Sequence, residues 1–309
     1  MAVTRVVIDT DPGVDDAIAI FLALASPEMD VVGITTVSGN VNVEKTTLNA
    51  RRLLDLVGRS DIPVARGAAT SLSGVAGSDV SHVHGDDGLG CLVWPEPEIK
   101  EATESAVDLL HRLTHEGPLT VIAIGPLTNL AEWIEAYPED VAKVERVVVM
   151  GGASFHGNVT AAAEFNVWAD PEAAAVTFSA RWPLVVLPLD VTHQATIGDD
   201  DFAFFRSLGS EVGRRCADML EPYAVFHDGV YGSRDVVMHD ALAVYEVIDP
   251  TAIEKQGATV QVETAGEYSR GATWFDRGRE HAESSLRVGT LVDNDAFVRL
   301  LRERVRVFP

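Results

Sequence analysis

The sequence predicts an α/β fold with a mostly parallel, open central sheet flanked by helices. Three observations carry that expectation. Short β-branched runs alternate with helical patterns along the 309 residues; each predicted strand ends in a polar or glycine-rich element; and no internal repeat, low-complexity tract or long linker divides the chain, so residues 1–309 read as one domain. An open sheet of this Rossmann-like kind gathers ligands beyond the carboxyl ends of its strands.

The elements follow in order. Strands are expected at 5–9, 31–37, 119–124, 146–150 and 184–189, and helices at 17–24, 43–57, 105–114, 129–137 and 241–248. Segments 67–100 and 210–235 are the longest stretches the sheet does not claim, which makes them candidates for flexible walls or lids over a pocket.

The first strand runs into four carboxylates in eight residues: Asp9, Asp11, Asp15 and Asp16. Two like charges 4 Å apart repel by roughly 4 kcal/mol at an effective dielectric near 20, so such a cluster needs solvent or a cation. Helix capping accounts for acids at the start of the helix that follows Pro12-Gly13, but not for Asp9 and Asp11, since aspartate is depleted from strands. An EF-hand beginning at Asp9 fails, because Val14 and Ile20 stand where glycine and glutamate are required. No dinucleotide turn or P-loop follows a predicted strand. An aspartyl-phosphate phosphatase, which also places Asp-x-Asp after a first strand, is a competing reading.

Composition bounds the function. A 47% hydrophobic chain of this length buries a large core, and a formal net charge of −23 disfavours a nucleic acid polymer as partner. No membrane span or export leader is evident, so the expectation is a cytoplasmic protein. Cys91 and Cys216 are too few for a disulfide framework.

The segment DTDPGVDDA at 9–17 resembles the signature of the inosine-uridine-preferring nucleoside hydrolase family. Further segments resemble that family in its order: ITTVSGN (34–40), HVHGDDGLG (82–90), IGPLTN (124–129), VVMGG (148–152), GNVTAAAEFN (157–166), LDVTHQ (189–194) and MHDALAV (238–244). The resemblance implies calcium-dependent hydrolysis of the N-glycosidic bond of ribonucleosides, serving nucleoside salvage. By the same resemblance, Asp11, Asp16, the Ile124 carbonyl and Asp240 hold Ca²⁺, Asp11 is the base towards water, and His239 is the acid towards the departing nucleobase.

Ribose contacts are implied for Asp15, Asn40, Met150, Asn158, Glu164 and Asn166, and Asp9 is placed behind them as an orienting residue. For the base pocket the candidates are His82, Phe155, Tyr223, His227 and Tyr231, with uridine and cytidine favoured and inosine open. The partner expected is a small nucleoside, with the chain itself forming a homodimer or homotetramer. Two alternatives stand beside this reading. The phosphatase would use Asp9 as nucleophile and wants a phosphate-pairing lysine, for which no candidate stands near a strand end; a non-catalytic nucleoside-binding protein could dispense with Asp11 or His239, which this chain keeps.

Overall fold

The computed structural model describes residues 3–75 and 81–309, the side chains of Ser81 and His82 excepted. Its strands, in chain order, are β1 (Thr4–Thr10), β2 (Met29–Thr36), β3 (Val64–Arg66), β4 (Leu119–Ala123), β5 (Val144–Met150), β6 (Leu184–Leu187), β7 (Thr196–Ile197), β8 (Val236–Val237), β9 (Ile253–Gly257), β10 (Thr259–Val262), β11 (Thr273–Asp276) and β12 (Leu286–Val292). Eight of them form the central sheet in the order β3-β2-β1-β4-β5-β6-β12-β9. Every neighbouring pair is parallel except β12 with β9.

Both faces of this sheet are buried, which explains the near-continuous apolar runs. Along β1, Val6 and Ile8 enter one hydrophobic cluster while Val7 enters the other; in β4, Ile122 opposes Val121 and Ala123; in β5, Val148 opposes Val147 and Val149. The period of two thus feeds two cores from one strand. The helices Ala106–Glu116 and Thr128–Ala136 cover one face, and Val14–Leu24 and His239–Ile248 the other.

Chain order reverses between β1 and β4, since β2 and β3 extend the sheet on one side and β5 and β6 on the other. That reversal opens a crevice beyond the carboxyl ends of β1 and β4, where an open α/β sheet places its ligand.

The five predicted strands are present, with the last two residues of 184–189 passing into the helix Leu189–Thr192. The sequence reading omitted β3, β9 and β12: β3 is three residues long, and β9 alternates buried with exposed side chains at the antiparallel edge, a weaker signal than a two-face-buried run. The segment expected as a flexible wall at 210–235 is a 21-residue helix, Glu211–Tyr231, capped by the Ser210 side chain and ended by Gly232 in the left-handed region. Its buried stripe of Val212, Cys216, Met219, Leu220 and Tyr223 fixes it to the core.

Candidate active site

Two helices from opposite ends of the chain bring the acids together. Val14–Leu24 is buried from Val14 to Ala23, as befits a helix that is apolar all round, and it packs against the equally buried His239–Ile248. The first turns of both face the crevice, so the carboxylates of Asp15, Asp16 and Asp240 come to lie with one oxygen of each within 4.8 Å of the others. Asp11 reaches the same place from the end of β1.

Hydrogen bonds lock this floor. Asp16 accepts from the Thr10 hydroxyl at 2.5 Å, from the Gly13 amide at 2.9 Å and from Asn40 Nδ2 at 3.1 Å. The Asn40 amide donates to Asp11 Oδ2 at 2.7 Å, while Asn40 Nδ2 also meets the Asp11 carbonyl. Asp9 lies behind, fully buried, its Oδ1 accepting from Thr35 at 2.6 Å and Asn129 at 2.7 Å. A Cβ on Gly39 would stand 2.0 Å from Asp11 Oδ2 and one on Gly125 2.6 Å from Asp11 Oδ1, so the Asp11 carboxylate occupies space that only glycine leaves open.

The electrostatics of the floor are unfavourable without a counter-ion. Burial pushes the carboxyl groups of Asp11, Asp15, Asp16 and Asp240 above their ordinary range, and repulsion from neighbouring acids adds to it for Asp11, Asp15 and Asp240, Asp15 reaching about 8. Asp11 Oδ1 is buried with no hydrogen-bond partner among the described residues. An all-oxygen set with an unsatisfied carboxylate atom fits a hard divalent cation.

The Ile124 amide donates to the Asp9 carbonyl at 2.8 Å, which sets the end of β4 beside the acids. Its carbonyl accepts from Asn166 Nδ2 at 3.1 Å, and the same nitrogen reaches the Met150 carbonyl at 3.2 Å. Glu164 caps the helix Phe165–Ala169, accepting from the amides of Gly152, Asn166 and Val167; burial nevertheless raises its carboxyl to about 7. Asn158 Oδ1 accepts from the Phe165 amide at 2.9 Å.

Over this floor opens a cavity of about 280 Å³. Of the sequence candidates, Asp15, Asn40, Ile124, Met150, Asn158, Glu164, Asn166, Tyr223, His227, Tyr231, His239 and Asp240 line it. Tyr223, His227 and Tyr231 recur every fourth residue of Glu211–Tyr231, with ring centroids 4.7 Å and 5.2 Å apart. Burial lowers the His227 imidazole to about 4 and pushes that of His239 well below the usual histidine range. The Thr192 hydroxyl meets His239 Nδ1 at 2.8 Å.

Two base-pocket expectations need revision or fall outside view. Phe155 is 78% exposed and does not line the cavity, because the Ser154 amide is held by Asp190 and its hydroxyl by Arg277, which turns the chain outward. The side chain of His82 lies outside the described residues. His84, which the sequence reading passed over, also lines the cavity: its Nδ1 accepts the Val14 amide at 3.2 Å and its ring lies 5.4 Å from that of Tyr223. Asn129, Thr10, Thr35 and Thr192 were also unassigned; each acts through another side chain and carries no signature of its own.

Fold and site define a single-domain α/β protein of enzyme-like build, with a buried carboxylate cluster at the floor of a cavity beyond the carboxyl ends of its strands. The profile of the inosine-uridine preferring nucleoside hydrolases matches residues 6–299. A pyrimidine-specific ribonucleoside hydrolase, RihA, of Citrobacter koseri is 40% identical over 313 aligned positions, covering 98% of each chain. Among solved structures, a plant nucleoside hydrolase superposes with a TM-score of 0.92 at 35% identity, over 98% of this chain and 99% of that one. A purine-preferring ribonucleoside hydrolase of Gardnerella vaginalis gives 0.94 at 32%, over 99% of both. The chain belongs to the inosine-uridine preferring nucleoside hydrolase family and is a ribonucleoside hydrolase, an enzyme of N-glycosidic bonds. This sets aside the phosphatase and the non-catalytic alternatives. Among the described residues no helix is long and apolar enough to cross a membrane.

Proposed function

We propose that the enzyme is a Ca²⁺-dependent hydrolase preferring uridine and cytidine, with inosine a slower substrate, yielding ribose and free base. The observation that carries the reading is the convergence of buried carboxylates from both ends of the chain beneath a cavity walled by histidine and tyrosine. The pyrimidine preference draws on the 40% identity to the RihA relative, against 32% for the purine-preferring one.

Asp11, Asp16, Asp240 and the Ile124 carbonyl would hold the cation, with Asp15 close enough to share in it. When bound, a hard dication offsets the mutual repulsion of the acids and acidifies a water molecule. Asp11, whose Oδ1 has no hydrogen-bond partner among the described residues, accepts the proton of the water that attacks the anomeric carbon, and attack opposite the base inverts configuration. His239, held through Nδ1 by Thr192, donates a hydrogen bond to the departing base. Asp15, Asn40, Met150, Asn158, Glu164 and Asn166 surround the ribose, and Asp9 keeps the floor in register from behind. A deoxynucleoside leaves a buried polar group unpaired, at about 1–3 kcal/mol for each. The same reading includes nucleoside salvage in the cytoplasm by a homo-oligomer, dimer or tetramer.

Hydrolysis of uridine, cytidine, inosine and adenosine, followed by ultraviolet difference or reducing sugar with and without a calcium chelator, tests the proposal. Uridine and cytidine should give the highest kcat/KM, and chelation should abolish turnover until Ca²⁺ is restored. Full activity in chelator removes the metal, and faster inosine than uridine turnover removes the pyrimidine preference.

A further inference from the structure

The amino-terminal edge of the sheet, opposite the active site, carries a group of side chains with ligand chemistry. His111 and His115 stand one turn apart on Ala106–Glu116, and Asp140 faces them from the turn Pro138–Ala142, just ahead of β5. One nitrogen of each histidine and one oxygen of Asp140 all lie within 4.8 Å of one another.

Three features distinguish this group from a chance surface cluster. Asp140 is only 1% exposed, and its Oδ2 is fixed by Trp133 Nε1 at 3.0 Å and by His111 Nδ1 at 2.8 Å. The His111 ring is pinned by Tyr137, stacked on it at 3.8 Å between centroids. His115 Nδ1 meets the His111 carbonyl at 2.9 Å; a carbonyl only accepts, so the ring proton is on Nδ1 and Nε2 offers a lone pair.

A cation already sits there. The Lys143 ammonium lies 2.6 Å from His115 Nε2 and 3.0 Å from Asp140 Oδ1, between two donor atoms that are themselves 3.8 Å apart. Tetrahedral Zn²⁺ with bonds near 2.0–2.1 Å spaces its ligands about 3.3 Å apart, so the two need to close by only about half an ångström. Lys143 and both histidines are partly exposed, which gives a dication a way in and the lysine a way out.

We propose that His111, His115 and Asp140 form a second metal site, for a borderline transition-metal dication such as Zn²⁺, which Lys143 fills with its own ammonium until the metal displaces it. The imidazole pair selects Zn²⁺ or its neighbours over Ca²⁺, which prefers an all-oxygen set. His111 exchanges its hydrogen bond to Asp140 for a bond to the metal, its ring proton moving to the other nitrogen. Once loaded, the site ties Ala106–Glu116 to the turn before β5, so it acts as a structural clip remote from the nucleoside cavity.

Calorimetric titration of Zn²⁺ into the full-length enzyme in excess Ca²⁺ tests this. One Zn²⁺ per chain should bind, weakened about 100-fold or more in His111→Ala and in His115→Ala, as loss of a ligand demands, and tightened about tenfold in Lys143→Met, which removes the competing cation. A thermal melt reads the site a second way, with Zn²⁺ raising the Tm of the wild type and leaving that of His115→Ala unchanged. Zinc binding that is absent, or equal in the wild type and both histidine variants, overturns the proposal. Should a histidine variant not fold, Lys143→Met decides alone: no tightening, and the site is not a lysine-held metal site.

Discussion

The floor and the wall of the nucleoside cavity are built on different principles. The floor is made of strand ends and first helical turns, and its polar atoms are tied by short hydrogen bonds to backbone groups and to Thr10, Thr35, Asn40 and Asn129. The wall is one face of Glu211–Tyr231 with His84 beside it, held by ring contacts 4.7–5.4 Å apart. A hydrogen-bonded floor tolerates almost no displacement, whereas aromatic contacts accept other side chains of similar size. On the proposed reading, chemistry is thereby separated from base choice within 280 Å³.

The largest expected effect breaks the floor. Asp11→Asn keeps the shape and removes a charge, so it should cut kcat by at least about 10³-fold while the Tm holds or rises in metal-free protein, since a repelled buried carboxylate is gone. Steady-state kinetics with uridine alongside thermal unfolding checks both halves. Wild-type turnover in this variant takes Asp11 out of the proton-accepting role.

Next is the junction of floor and wall. His239 opens the same helix as Asp240 but turns its ring to Thr192 and the cavity. His239→Ala should lower kcat about 10²- to 10⁴-fold for uridine and far less for a nucleoside whose activated base departs unaided. Equal losses on both substrates point instead to disturbance of Asp240.

The same division decides what the sequence revealed. The floor was legible in part because acids on the strand side of a turn have few innocent explanations, as with Asp9 and Asp11; Asp15 and Asp16 suit a first helical turn in any case, and Asp240 entered only through the family resemblance. The sheet strands β1, β4 and β5 were legible because burial on both faces produces unbroken apolar runs. The wall was only partly so: Tyr223, His227 and Tyr231 keep a helical spacing, but the segment stands as a candidate flexible wall or lid because no predicted sheet strand claims it. Phe155 misled because an aromatic side chain carries no mark of which way its loop turns. His84 carries no local mark of its place at the cavity, because its contacts with Val14 and Tyr223 arise from tertiary packing.

Opposite titration of floor and wall gives the smallest and sharpest test. Burial raises Glu164 to about 7, so between roughly pH 4.5 and 7 the folded protein holds a proton that the unfolded chain releases. Its contribution to stability is complete at the acid end and disappears as pH rises through 7. Burial lowers His227 to about 4, so between roughly pH 6.5 and 4 the unfolded chain takes up a proton that the folded protein refuses, and stability is lost as pH falls. Urea unfolding in excess Ca²⁺ should therefore show the wild type losing stability relative to Glu164→Gln on going from pH 4.5 to 7, by an amount on the order of 3 kcal/mol. Relative to His227→Gln it should gain over pH 4 to 6.5. On the proposed reading base preference follows the second group alone: His227, lowered to about 4, is neutral from pH 5.5 to 8, so the ratio of uridine to inosine kcat/KM should be flat across that range in the wild type and shifted by the same factor throughout in His227→Gln. A ratio that moves with pH in the wild type but not in the variant assigns the titration to His227 and erases the distinction between a charged floor and a neutral wall.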